Sequence, residues 1–284
     1  MYEDCECKSC KSIKVKLSLK DDTNNLLNVA KKAFKHLHEK GSYKPNDLKT
    51  EEPYINLITE INDVFNKTLI DNVVDDKLLD VLQNDVFLFS GLKTHAQLFE
   101  ASRLMLDESG KIKPLDTFLK DFNKLNIGYN QNYLAVEYVF ALGTSAMAQR
   151  WAGFSDDDGY YLQYRTDGGP NVRDSHAALN NTTLPKADPF WDSFMPLNGW
   201  NCHCMVVEVL AMRYEKSDSK KAIEQGVAAT TQIGKDGKNK LAIFRFNPGK
   251  DKVIFPPNHP YNKVAGANKV KEILTEKQKE ALKA

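Results

Sequence analysis

Two thiols and a set of imidazoles are the residue types in this chain best suited to chemistry. Cys202 and Cys204 flank His203, and His176 and His259 lie in the same stretch of chain. Thiolate sulfur and imidazole nitrogen are ligands that zinc prefers, so Cys202, Cys204 and His176, with His203 or His259 in reserve, could make a tetrahedral site. A Cys-x-Cys spacing on an extended segment turns both sulfurs to one face. Zinc sites use Cys-x2-Cys more often, so the same spacing also allows two small buried packers beside a hydrogen-bonded histidine.

A second thiol group, Cys5, Cys7 and Cys10, stands beside Lys8 and Lys11, whose charges favour thiolates. These three would need a fourth ligand from elsewhere to hold zinc; free thiols on a terminal segment are the competing reading. Arg173 and His176 offer a catalytic alternative, with His176 as general base and Arg173 as an anion clamp for a nucleotide or phosphodiester. No phosphate-cradling glycine loop, nucleophile elbow or second acid at a recognisable spacing accompanies them. Asp174 suits a helix N-terminus instead. No catalytic residue is therefore expected, Arg173 and His176 being the candidates if an activity exists.

The elements that must carry these residues change character along the chain. Residues 13 to 19 alternate apolar and polar positions, which predicts a short strand. Leu26, Leu27, Ala30, Ala33, Phe34 and Leu37 then follow helical spacing behind Thr23, with Gly41 as the stop. Further helices are predicted over Pro53 to Asn72, Lys77 to Asp107 with a break or bend near Ser90-Gly91, Leu115 to Leu125, and Asn130 to Trp151. The last is apolar almost all round, as a centrally placed helix would be. After the turn cluster at Ser155 to Gly159, β-type runs appear at Tyr160 to Arg165, Met205 to Leu210 and Leu241 to Phe246. A final helix is predicted from Val270 to Ala284. Phe190, Trp191 and Trp200, in a Pro- and Gly-rich loop, are expected to pin that loop to its own core.

Composition narrows the function. The 284 residues hold 39 Lys plus Arg against 38 Asp plus Glu, a net charge of +1, which argues against a protein that coats nucleic acid or an anionic membrane. A chain of this length buries roughly three quarters of its unfolded surface and needs no disulfide staples. Five cysteines, an odd number in two clusters, do not read as a secreted disulfide framework. No run approaches the roughly 18 to 20 apolar residues of a membrane span, and the acidic, polar start lacks the pattern of a secretory signal. A soluble protein not exported by that route is expected.

The most distinctive run is Val172-Arg173-Asp174-Ser175-His176-Ala177-Ala178-Leu179, then Asn180 to Pro185, Asp188-Pro189-Phe190-Trp191, and Asn198-Gly199-Trp200-Asn201-Cys202-His203-Cys204. In kind and order these elements resemble the phage Mu F-like minor head protein family, the phage head morphogenesis proteins. The resemblance is strongest over Tyr160 to Val209. It extends to the helix starting at Tyr129-Asn130-Gln131-Asn132-Tyr133-Leu134, and to Phe246-Asn247-Pro248-Gly249 and Phe255 to Tyr261, which look like the tail of Bacteroidetes-type members. Cys202-His203-Cys204 replaces the family's usual Cys-Arg-Cys, which puts any role of that central arginine in doubt.

Patterning and the resemblance together lead to the expectation of an α+β protein, with a mainly helical N-terminal domain followed by a small α+β Mu F-like domain. The expected parts are a cysteine-containing segment (1–22), a helical domain (23–152), the Mu F-like domain (153–262) and a C-terminal helix or tail (263–284). The resemblance also implies a minor head protein of a tailed phage or prophage, acting in head morphogenesis. Its expected partners are portal or capsid proteins, with at most local DNA contact, and its expected place is the virion, at the capsid interior or portal vertex, after assembly in the host cytoplasm. A phage-borne enzyme acting on nucleotides or nucleic acid through Arg173 and His176, and a zinc-dependent DNA-binding module, are the alternatives.

Overall fold

The computed structural model describes residues 8–169 and 172–281, with side chains described within residues 20–276. In chain order the helices are α1 (Lys8–Lys40), α2 (Asp47–Thr50), α3 (Glu52–Ile70), α4 (Asp76–Leu104), α5 (Leu115–Ile127), α6 (Leu134–Gly153), α7 (Asp174–Ala177), α8 (Phe190–Phe194), α9 (Ser219–Ala229), α10 (Pro248–Asp251) and α11 (Ala267–Ala281). The strands are β1 (Tyr160–Arg165), β2 (Thr183–Leu184) and β3 (Met205–Leu210). The protein is α+β, helical at first and then mixed. No described helix is long and apolar enough to cross a membrane.

Compactness divides the chain into two units. The first takes in the described residues up to 65, residues 87–138 and those from 260 onward; the second takes in residues 66–86 and 139–259.

In the first unit the helical spacing of α1 becomes one buried face, since Leu26, Ala30, Ala33, Phe34 and Leu37 have no exposed surface. Phe34 meets Phe122 of α5 with ring centroids 4.1 Å apart. Residues 13 to 19, expected as a strand, are part of α1. Lengthening a helix adds a hydrogen bond for each residue fixed, whereas a strand needs a partner, and the sheet offers none here. No break occurs at Ser90-Gly91, because α4 runs through it. A Cβ at Gly91 would stand 2.1 Å from Leu274 Cδ1 of α11, so this glycine serves close approach between helices. Residues 128 to 133 widen into a π-type turn that carries Asn130 inward, where its amide donates to Gln97 at 2.7 Å and Asn126 at 2.9 Å.

The second unit holds the sheet, of order β2-β1-β3 and antiparallel throughout. Leu162 pairs with Leu184 on one side and Glu208 on the other, and Tyr164 pairs with Val206. β1 and β3 coincide with the predicted runs. The run Leu241 to Phe246 does not form a strand; Ala242–Phe244 is a 3-10 turn. Asn239 Oδ1 accepts the backbone N–H of Leu241 at 3.0 Å and of Gln232 at 2.9 Å, and such side-chain bonds favour a turn over a ladder. The aromatic loop does pin itself to this unit's core. Phe190 and Trp191 are fully buried edge to face at 4.8 Å, and Trp200 meets Phe140 and Phe244 at 5.0 Å each.

Candidate functional site

Alternation decides which groups face inward just before β3. The chain is already extended there, so Cys202, Cys204 and Val206 are buried while Asn201, His203 and Met205 between them are exposed. Asn201, at φ 55, adopts the left-handed conformation that asparagine tolerates, and the Cys202 N–H closes the turn onto Gly199 O at 3.2 Å. Across from this segment, the single turn of α7 aims His176 into the interior, 2% exposed. Its Nδ1 lies 3.6 Å from Cys202 Sγ and 3.7 Å from Cys204 Sγ. The three donor atoms lie within 4.8 Å of one another. His176 Nε2 is buried without a hydrogen-bond partner, so Nδ1 carries the ring's polar contacts.

The two thiols are unequal. Contact with Cys204 holds the Cys202 thiol well below its ordinary range, with His176 adding to the effect against the penalty of burial. The same contact, followed by burial, pushes Cys204 up. Tyr164, fully buried on β1, donates from its hydroxyl to Asn198 Oδ1 at 2.9 Å and lies beside Cys204; burial raises its pKa. Arg173 is exposed and donates through Nη2 to Trp200 O at 2.7 Å, tying the start of α7 to the loop that ends in the cysteines.

His176, Cys202 and Cys204 are therefore brought together from positions 26 and 28 residues apart. His203 is exposed on the opposite face. His259 is buried against Trp200, with ring centroids 5.9 Å apart, and is not one of the clustered residues. Cys5 and Cys7 lie outside the described residues, as does the Cys10 side chain. Arg173 and His176 have different direct partners: one guanidinium nitrogen is on the Trp200 carbonyl and the imidazole is on sulfur. Tyr164 and Asn198 were not among the expected site residues. Tyr164 lies in a run expected as a strand, but its closeness to Cys204 depends on pairing with β3.

Residues 121–207 match the family model described as "Phage Mu protein F like protein", a stretch that contains the whole cluster. Over 118 residues, or 40% of the chain, the sequence is 28% identical to the "Putative capsid assembly protein F" of Escherichia phage Mu. The match spans 24% of that relative's length. No solved structure matches.

Proposed function

Taking residues 121–207 as a region of the phage Mu protein F-like family, we propose that the protein acts in phage head morphogenesis as a minor head protein. The family match carries this reading. The relative in phage Mu is named as a putative capsid assembly protein, and the matched stretch includes every residue of the distinctive run from Val172 to Cys204. The finer proposal is association with the portal or the capsid interior, in the virion and in assembling heads. The helical portion, residues 23–152, is proposed as the portal-facing part, since helix ridges and grooves are ready docking features. Near-neutral charge favours protein contacts over DNA, which would be touched only locally.

The test is made in a phage or induced prophage that carries the gene. Mass spectrometry of purified virions and heads should find the chain at low copy. The tagged full-length chain should capture the portal protein encoded in the same genome. Absence from both heads and virions would remove the head-protein reading; presence there without portal capture would remove only the portal assignment.

A further inference from the structure

We infer that His176, Cys202 and Cys204 bind a zinc ion. The inference rests on the cluster's geometry and is separate from the head-protein reading. Around zinc, with sulfur at about 2.3 Å and imidazole nitrogen at about 2.0 Å, tetrahedral angles place sulfur and nitrogen roughly 3.5 Å apart. The two observed separations are 3.6 and 3.7 Å, both measured to the same nitrogen, Nδ1. A single proton on or near Nδ1 can serve one sulfur only. A cation between the three donors serves all of them, and a dication with two thiolates and a neutral imidazole has no net charge, which suits a buried site.

The surroundings fit a structural ion. Each ligand sits on a segment with little secondary structure of its own: α7 is one turn, and Cys202 and Cys204 precede β3 in a loop. Zinc would clamp these two segments together, alongside the Arg173 to Trp200 hydrogen bond. Tyr164, held by Asn198, stands beside Cys204 as an outer-shell group. Among the described residues no fourth His, Cys, Asp or Glu joins the cluster. The exposed His203 and the distant His259 are not ligands in this arrangement.

The test uses the full chain, purified under reducing conditions without added chelator. Elemental analysis should find one zinc per chain, and a Cys5→Ser, Cys7→Ser, Cys10→Ser triple variant should retain it. Replacing zinc by cobalt in that triple variant should give thiolate-to-metal charge-transfer absorption and the intense visible bands of a tetrahedral ion. Adding Cys202→Ser or His176→Ala should reduce bound metal to below about a tenth of that value. Chelation of the triple variant, whose site residues are all intact, should lower its melting temperature, and zinc should restore it. This arm separates loss of metal from failure to fold. The inference is overturned if the triple variant binds no metal and its cobalt titration shows no thiolate bands. It is equally overturned if intact mass shows Cys202 and Cys204 joined as a disulfide in the reduced preparation.

Discussion

Lys93 and Glu137 form an ion pair within the first unit from which the lysine is wholly excluded from solvent. Tyr261 donates its hydroxyl to the other carboxylate oxygen, Oε1, at 2.8 Å. The ammonium also lies 5.9 Å from the ring centre of Tyr129 and 5.7 Å from that of Tyr261. Burial pushes the lysine below its ordinary pKa, and the charge and hydrogen bond of Glu137 oppose that shift. The pair holds α4 and α6 at this level to the segment that precedes α11.

Removing one partner should cost more than removing both. Glu137→Ala strands a buried ammonium and is expected to destabilise the protein by about 3 to 5 kcal/mol. Combining Glu137→Leu with Lys93→Met should recover most of that loss, because no buried charge is left uncompensated. Urea denaturation of Glu137→Leu, of Lys93→Met and of the double variant checks this. A double variant as unstable as the sum of the singles would contradict it.

Gly226 of α9 should not tolerate alanine, although helix propensity favours the change. A Cβ at this position would lie 2.5 Å from Phe194 Cγ and 2.8 Å from its Cδ1, and Phe194 is itself buried in α8. The propensity gain is about 1 kcal/mol, whereas forced overpacking costs roughly 1 to 3 kcal/mol. Gly226→Ala should therefore be neutral at best and more often destabilising in thermal melts. A clear rise in melting temperature would show that Phe194 moves freely.

Asn247 has every side-chain polar atom engaged in the interior. Its Oδ1 accepts the N–H groups of Gly249 and Lys250, each at 3.0 Å, capping α10, while its Nδ2 donates to Trp191 O at 3.0 Å. Asn247→Ala loses the cap and leaves buried groups unpaired, for about 2 to 3 kcal/mol. The midpoint of denaturant unfolding measures it. A cost below about 0.5 kcal/mol would mean that solvent reaches these groups.

Asp85 should make a distinctive contribution to stability as pH changes. Burial raises its pKa to about 6, against the opposing hydrogen bonds from the backbone N–H groups of Ile254 and Phe255. The folded protein therefore binds its proton more tightly than the unfolded chain does. The stability this contributes is fully present below the unfolded value of 3.8 and is lost as pH rises through about 6. Asp85→Asn keeps an acceptor oxygen and removes the titration. Its stability relative to the parent should rise by roughly 1 to 2 kcal/mol between pH 4 and pH 7, allowing for the residue's partial exposure. A difference that does not change with pH would refute the assignment.

Local patterning was enough to define much of the fold. The β-type runs Tyr160 to Arg165 and Met205 to Leu210 became β1 and β3 with the predicted limits. The three-and-four spacing of Leu26, Ala30, Ala33, Phe34 and Leu37 became a fully buried face. Patterning misled where a missing strand partner or a side-chain bond to the backbone outweighed it. Residues 13 to 19 alternate apolar and polar positions, but among the described residues no strand pairs with them. Residues 241 to 246 are apolar enough for a strand but are captured by Asn239.

The candidate site divides in the same way. The sequence by itself determined that Cys202 and Cys204 face one side and His203 the other, because side chains alternate along any extended chain, and it set a helix N-terminus at Asp174, so that His176 falls in the turn after it. It did not determine which way that turn points. Only the tertiary structure put His176 Nδ1 against both sulfurs, moved Arg173 onto the Trp200 carbonyl and set Tyr164 beside Cys204. Nor could spacing have paired Lys93 with Glu137, 44 residues apart on different helices. Periodicity reports which face of an element turns inward; which other group it meets there depends on how separate segments bury their apolar faces together.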